Sequence, residues 1–166
     1  MPMKYYIQRS DSSGNTLFQV YDKCGEPHYS AVLVEEGTLI KILLLDAAHQ
    51  KVATIRRIGV EPFWCDVIHT ETGGRARLFQ RLSSGGPQFY LSGVPWYFRG
   101  DFIVRSFDLL DAAGECVMTH GRCWNSMGES FGVEIRHHKS VVLCLCIAIA
   151  IDTVASSNGS APVPIG

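Results

Sequence analysis

From residue 4 to residue 136 the apolar positions of this chain fall in short runs broken by polar and glycine-rich stretches. Phe131, Val133 and Ile135 alternate with Gly132, Glu134 and Arg136, the two-residue period of a strand with one face buried. Similar runs predict strands near 4–8, 29–34, 39–45, 52–57, 63–69, 76–82, 88–91, 102–109, 117–120 and 131–136. Between them stand turn signals: Glu35-Glu36-Gly37, Thr72-Gly73-Gly74, Ser83-Ser84-Gly85-Gly86-Pro87 and Gly93-Val94-Pro95. Their spacing suits an antiparallel sandwich or barrel, not βαβ units.

One hairpin unit recurs. Leu44-Leu45-Asp46-Ala47-Ala48 with Val52 matches Leu109-Leu110-Asp111-Ala112-Ala113 with Val117, and Phe18-Gln19-Val20-Tyr21-Asp22 with Gly25 is a looser copy. Asp suits the first position of a tight turn because its side chain caps nearby N–H groups, and Gly25 and Gly114 supply a positive φ. His49 stands where Gly114 stands in the other copy, which weakens the turn signal there.

The strands give way to an unbroken apolar run, VVLCLCIAIAI, at 141–151. As a helix it is hydrophobic all round and must be buried on every face. It falls short of the roughly 20 apolar residues that a bilayer span needs, and His137, His138, Lys139 and Asp152 bound it. As a strand it puts large Leu143, Leu145, Ile147, Ile149 and Ile151 on one face and small Cys144, Cys146, Ala148 and Ala150 on the other. Length favours a helix weakly, flanking charge opposes one, and pattern alone leaves both open. The last residues, 155–166, are rich in Ser, Gly, Asn and Pro and read as a disordered tail.

Composition adds limits. A chain of 166 residues, 46% hydrophobic and 19% charged, is the size of one globular domain with a sizeable core. A formal net charge of -1 gives no bulk field for nucleic acid, so any anion site must be a local patch. The N-terminus MPMKYYIQRS lacks the apolar stretch of a signal peptide, so the expected compartment is the cytoplasm. Disulfides are not expected there, and Cys144 and Cys146 read as small packing residues.

Together, the Tyr5-Tyr6-Ile7-Gln8 strand, the Phe18-to-Gly25 hairpin, Leu44-Leu45-Asp46, the Phe107-to-Gly114 hairpin and the apolar segment ending in Ile151-Asp152 resemble the LURP-one-related family. The likeness runs from Met3 to about Val154. That family belongs, with the phospholipid scramblases, to the tubby-like superfamily. The resemblance implies a mainly β (α+β) fold: a closed antiparallel barrel of about twelve strands around a central C-terminal hydrophobic helix. A barrel wider than eight strands needs something inside, and a helix about 10 Å across fits. On this reading residues 1–154 form one barrel domain with its central helix at 139–152, Ser140 standing at the N-cap.

Gly128-Glu129-Ser130-Phe131-Gly132 matches the GxSxG nucleophile elbow, but a strand follows it instead of a helix, and no His comes after Asp152. Cys65 with His69, and Cys116 with His120 and Cys123, lack the tight CxxC spacing of structural zinc. No catalytic residue, metal ligand or cofactor is therefore assigned, and the expectation is a protein that is not an enzyme. Arginine outnumbers lysine two to one and is spread over several predicted strands. Arg56, Arg57, Arg75, Arg77, Arg99 and Arg105 are the candidate anion patch, because guanidinium forks suit phosphate. Trp64, Trp96 and Tyr97 read as barrel or loop packing, with Val94-Pro95-Trp96-Tyr97 as an exposed membrane-touching loop in the alternative. Tubby domains bind phosphoinositides, so the resemblance implies a cytoplasmic, membrane-peripheral module for anionic phospholipid. Its alternative is a protein-interaction scaffold; scrambling is disfavoured because the extra segments of scramblases have no counterpart here.

Overall fold

The computed structural model describes residues 2–10, 14–60, 62–125 and 128–160. Twelve strands precede one helix: β1 (Met3–Arg9), β2 (Thr16–Asp22), β3 (Pro27–Glu36), β4 (Leu39–Asp46), β5 (Lys51–Val60), β6 (Phe63–Thr70), β7 (Arg75–Ser83), β8 (Gly86–Ser92), β9 (Tyr97–Asp101), β10 (Ser106–Leu110), β11 (Cys116–Asn125) and β12 (Gly128–Ile135). They form one antiparallel sheet in the order β8-β7-β6-β5-β4-β3-β2-β1-β12-β11-β10-β9. The sheet curls into a nearly closed barrel. Its terminal strands, β8 and β9, meet along a seam that aromatic rings span: Phe89 lies 6.4 Å from Phe98 and 4.7 Å from Phe102.

A 3-10 turn (His138–Ser140) leads into α1 (Val141–Ser160). The helix fills the barrel, and Cys144 through Ala150 have no exposed surface. Around it stand the inward members of the alternating strands, Ile7, Val20, Leu44, Ile55, Ile68 and Leu78 among them. This settles the apolar run as a helix, since within a twelve-stranded wall every face of it meets side chains. Burial pushes the Cys144 thiol up to about 12 and that of Cys146 higher still, so both remain neutral packing groups. Among the described residues no helix is long and apolar enough to cross a membrane.

Two expectations need correction. The helix does not start at 139 or stop at 152: it begins at Val141, after the turn that holds Ser140, and continues to Ser160. The expected tail therefore begins inside it, and 161–166 lie outside the described residues. Nor is 102–109 one strand. Residues 102–105 form a turn between β9 and β10, in which the Ile103 N–H donates to Asp101 Oδ1 (2.9 Å) and Arg105 adopts φ 58.

The two ends of the barrel differ. At one end, which we call the polar end, four turns share one design. Asp22, Asp46 and Asp111 each accept through Oδ1 from the N–H groups two and four residues on, at 2.8–3.0 Å. Thr70 caps its turn in a related way: its hydroxyl accepts from Gly74 N–H, four residues on, at 2.7 Å and lies 3.2 Å from the Thr72 hydroxyl. The left-handed position is Gly25, His49, Gly73 or Gly114, with φ of 85, 61, 97 and 83. The hairpin similarity seen in the sequence is thus one turn geometry repeated. The opposite end carries the turns that follow β3, β5, β7 and β9.

Candidate functional site

On β5, β6 and β7 successive residues point alternately into the barrel and out to solvent. Register aligns the outward positions in rows across the wall: Lys41–Arg56–Val67–Arg77–Ser92, and beside it Thr54–His69–Arg75. Arg56, Arg75 and Arg77 are exposed, and a groove of about 290 Å³ runs between His69, Arg75, Arg77, Ser92 and Gly93. Arg75 and Arg77 stand two residues apart on one face, roughly 7 Å along the strand, and Arg56 lies two strands away, roughly 10 Å. No carboxylate faces outward from the described residues of these three strands, because Asp66 points inward. Lys41 and Arg56 are direct cross-strand neighbours of like charge, an arrangement that destabilises a sheet. Glu36 relieves it in part, 3.3 Å from Lys41.

The other three candidate arginines lie elsewhere. Arg57 points into the barrel and clamps Asp66 with both arms of its fork, at 2.8 and 2.9 Å. Gln80 donates to the same carboxylate, and the guanidinium lies 5.6 Å from the Trp64 ring. Burial pushes the Asp66 carboxyl above its usual range, while Arg57 and Gln80 pull it back. Trp64 Nε1 and Gln80 Oε1 are buried beside this pair without a hydrogen-bond partner. Arg99 is exposed on β9 and pairs with Asp108 at 3.2 Å.

Arg105 belongs to a second buried cluster, which ties the helix to the wall. Its guanidinium lies 3.9 Å from the Phe131 ring centre and 3.9 Å from Asp152 Oδ1. His120 is stacked between Phe107 and Phe131, with ring centres 4.5 and 5.1 Å away. Its Nδ1 donates to the Arg105 carbonyl at 2.8 Å, and its Nε2 sits 3.0 and 3.1 Å from the Asp152 oxygens. A carbonyl can only accept, so Nδ1 is the donor in that bond, and Nε2 is left facing the Asp152 carboxylate. Sequence reading missed this cluster. Its one signal is Asp152 ending an apolar run, a charge that needs a buried partner.

Ser130 is buried on β12, 3.4 Å from Cys123 Sγ. Cys65 and His69 face outward, whereas His120 faces inward, and among the described residues no three potential metal ligands gather. Trp96 is half-buried and Tyr97, at the start of β9, is 49% exposed, both at the polar end.

Comparisons with known proteins agree on the fold. The LURP-one-related family model matches residues 3–152. The protein YxjI of Bacillus subtilis, named as uncharacterised, is 34% identical over 76 residues, which is 45% of this chain and 46% of that relative's length. An X-ray structure of a protein from Arabidopsis thaliana superposes with a TM-score of 0.64 over 93% of this chain and 91% of the other, at 17% identity. With twelve antiparallel strands around a C-terminal helix and a match across the whole barrel, this tubby-like chain belongs to the LURP-one-related family.

Proposed function

We propose that the protein is a non-enzymatic binding module whose outer wall, at Arg56, Arg75 and Arg77, takes the phosphate of an anionic phospholipid headgroup at a membrane surface. The observation that carries this reading is the row structure of the wall: exposed cations two strands or two residues apart, a groove beside Arg75 and Arg77, and no outward carboxylate on β5, β6 or β7. Two guanidinium forks about 7 Å apart can bracket a phosphorylated headgroup, and its charge would relieve the repulsion between Lys41 and Arg56. Arg57, Arg99 and Arg105 are not part of this site, since each already serves a carboxylate.

Sedimentation with vesicles of graded phosphoinositide content, at low and high salt, tests the reading. Binding should rise with phosphate charge and weaken with salt. The R75E/R77E variant should lose it, whereas R99E should keep it. Absence of sedimentation with every composition would shift the weight to protein interaction, for which the seam groove between exposed Tyr90 and Tyr97 is the first surface to test.

A further inference from the structure

The apolar side chains exposed on this barrel are not scattered. Among the described residues nine large ones are exposed, and six of them, Ile40, Ile58, Val60, Phe63, Ile103 and Val104, crowd the end opposite the Asp-capped turns. Val60 is 79% exposed and Phe63 58%, both at the β5–β6 turn; Ile103 is 68% exposed on the β9–β10 turn. The turns are braced. The Arg81 guanidinium lies over the Phe63 ring at 5.2 Å, Asp101 holds the Ile103 N–H, and Ile103 packs beside Gly86, the first residue of β8. β-Branched and aromatic residues held in water at separate hairpin tips gain nothing in an isolated barrel.

We infer that this end is a membrane-docking rim, with Val60, Phe63 and Ile103 entering the acyl boundary of an anionic phospholipid bilayer. The inference rests on the headgroup reading above and narrows it, leaving Arg56 and Arg77, without Arg75, as the wall arginines that reach the headgroups. Arg81 is the direct cross-strand neighbour of Phe63, and Arg56 lies four residues below Val60, roughly 13 Å along the strand. With barrel strands tilted by about 40°, that becomes a depth of roughly 10 Å. Tips set at the acyl boundary therefore put Arg81 in the headgroup layer, which is roughly 5–7 Å thick, and Arg56 and Arg77 roughly 3 Å beyond it, within reach of their long side chains, whereas Arg75, six residues from Arg81, stands roughly 15 Å out and meets no headgroup in this orientation. The outward charges of the wall face the right sign of surface. Among the described residues the acidic positions at this end are Glu35, Glu36 (paired with Lys41), Asp101 (held in its turn) and Glu129 at the start of β12, while Asp11 and Glu61 lie outside the described residues. Tips on separate turns suit a fluid surface better than a flat protein epitope, and among the described residues the polar end presents no comparable cluster. The membrane contact thus lies at the opposite end from Val94-Pro95-Trp96-Tyr97.

The experiment uses the whole chain and phosphatidylcholine vesicles with and without phosphoinositide. V60D/F63D changes only exposed positions, and its melting curve serves as the folding control. Its affinity for anionic vesicles should fall by about tenfold or more, as expected when two apolar side chains lose insertion. The F63W variant should show extra fluorescence quenching by brominated acyl chains relative to the wild type. Unchanged binding by V60D/F63D, with no extra quenching of F63W, overturns the rim while leaving the headgroup reading intact. Wild-type protein that binds no vesicle overturns both. Loss of a dimer on sizing, instead of loss of vesicle binding, would assign the rim to a second copy and overturn it.

Discussion

Arg56 and Arg57 are adjacent in the chain and opposite in role. The strand period sends Arg56 to solvent and Arg57 inward, where Asp66 has no exposed surface. Asp66 cannot be left alone there: truncating one partner of a buried ion pair leaves an uncompensated charge and costs about 3–5 kcal/mol. Arg57→Met should therefore lower unfolding stability by about 3 kcal/mol, near the bottom of that range because the Arg57 side chain keeps 18% of its surface. Arg56→Met should stay within about 0.5 kcal/mol. Urea unfolding of the two variants checks this, and equal costs would mean that Arg57 is not the partner Asp66 depends on. The sequence pooled the two residues into one patch because their type is the same. Only the parity of β5 separates them, and the predicted strand 52–57 already carried that parity.

Among the elements, the central helix shows how far pattern can go. The run at 141–151 alternates large and small residues as a strand would, and the same residues clothe a helix on all sides. Choosing between the two requires the girth of the barrel, a property of twelve strands together and of no local window. The structure makes Ile147 the sharpest probe, since it has no exposed surface and lies mid-helix. Ile147→Asp would put a charge at the barrel's centre, where neither solvent nor a partner can reach it, and should abolish cooperative folding. A soluble variant with a sharp melting transition would contradict the buried placement. The misread strand at 102–109 has a different cause. Phe102, Ile103 and Val104 are strong β-formers, yet the chain turns there because Asp101 caps the turn and Arg105 takes a left-handed conformation. A non-glycine residue at positive φ is strained, and what holds Arg105 there is tertiary: Asp152 and the Phe131 ring. His49 hid its turn in the same way, although Asp46 announced it.

For the molecule as a whole, the seam is where the barrel departs from closure. Eleven of the strand junctions are hydrogen-bonded ladders, whereas β8 and β9 meet through Phe89, Phe98 and Phe102, which continue inward to Phe107. Apolar burial is non-directional, so rings can hold two strands together without satisfying their backbone N–H groups. Those groups face either water or a partner strand, and an uncovered edge is the usual place for local opening. Amides of β8 and β9 should accordingly exchange hydrogen well before those of β3 and β4, which pair on both sides. Phe102→Ala should widen that difference and cost about 2–3 kcal/mol, somewhat below the loss for a fully buried ring because Phe102 is only half-buried. Mass-spectrometric hydrogen exchange resolves both effects. Uniform protection around the barrel would mean that the seam opens no more readily than a ladder. Faster exchange at β8 and β9 alone would mean that the aromatic rings are the latch, and that the barrel opens at its seam while the helix remains in place.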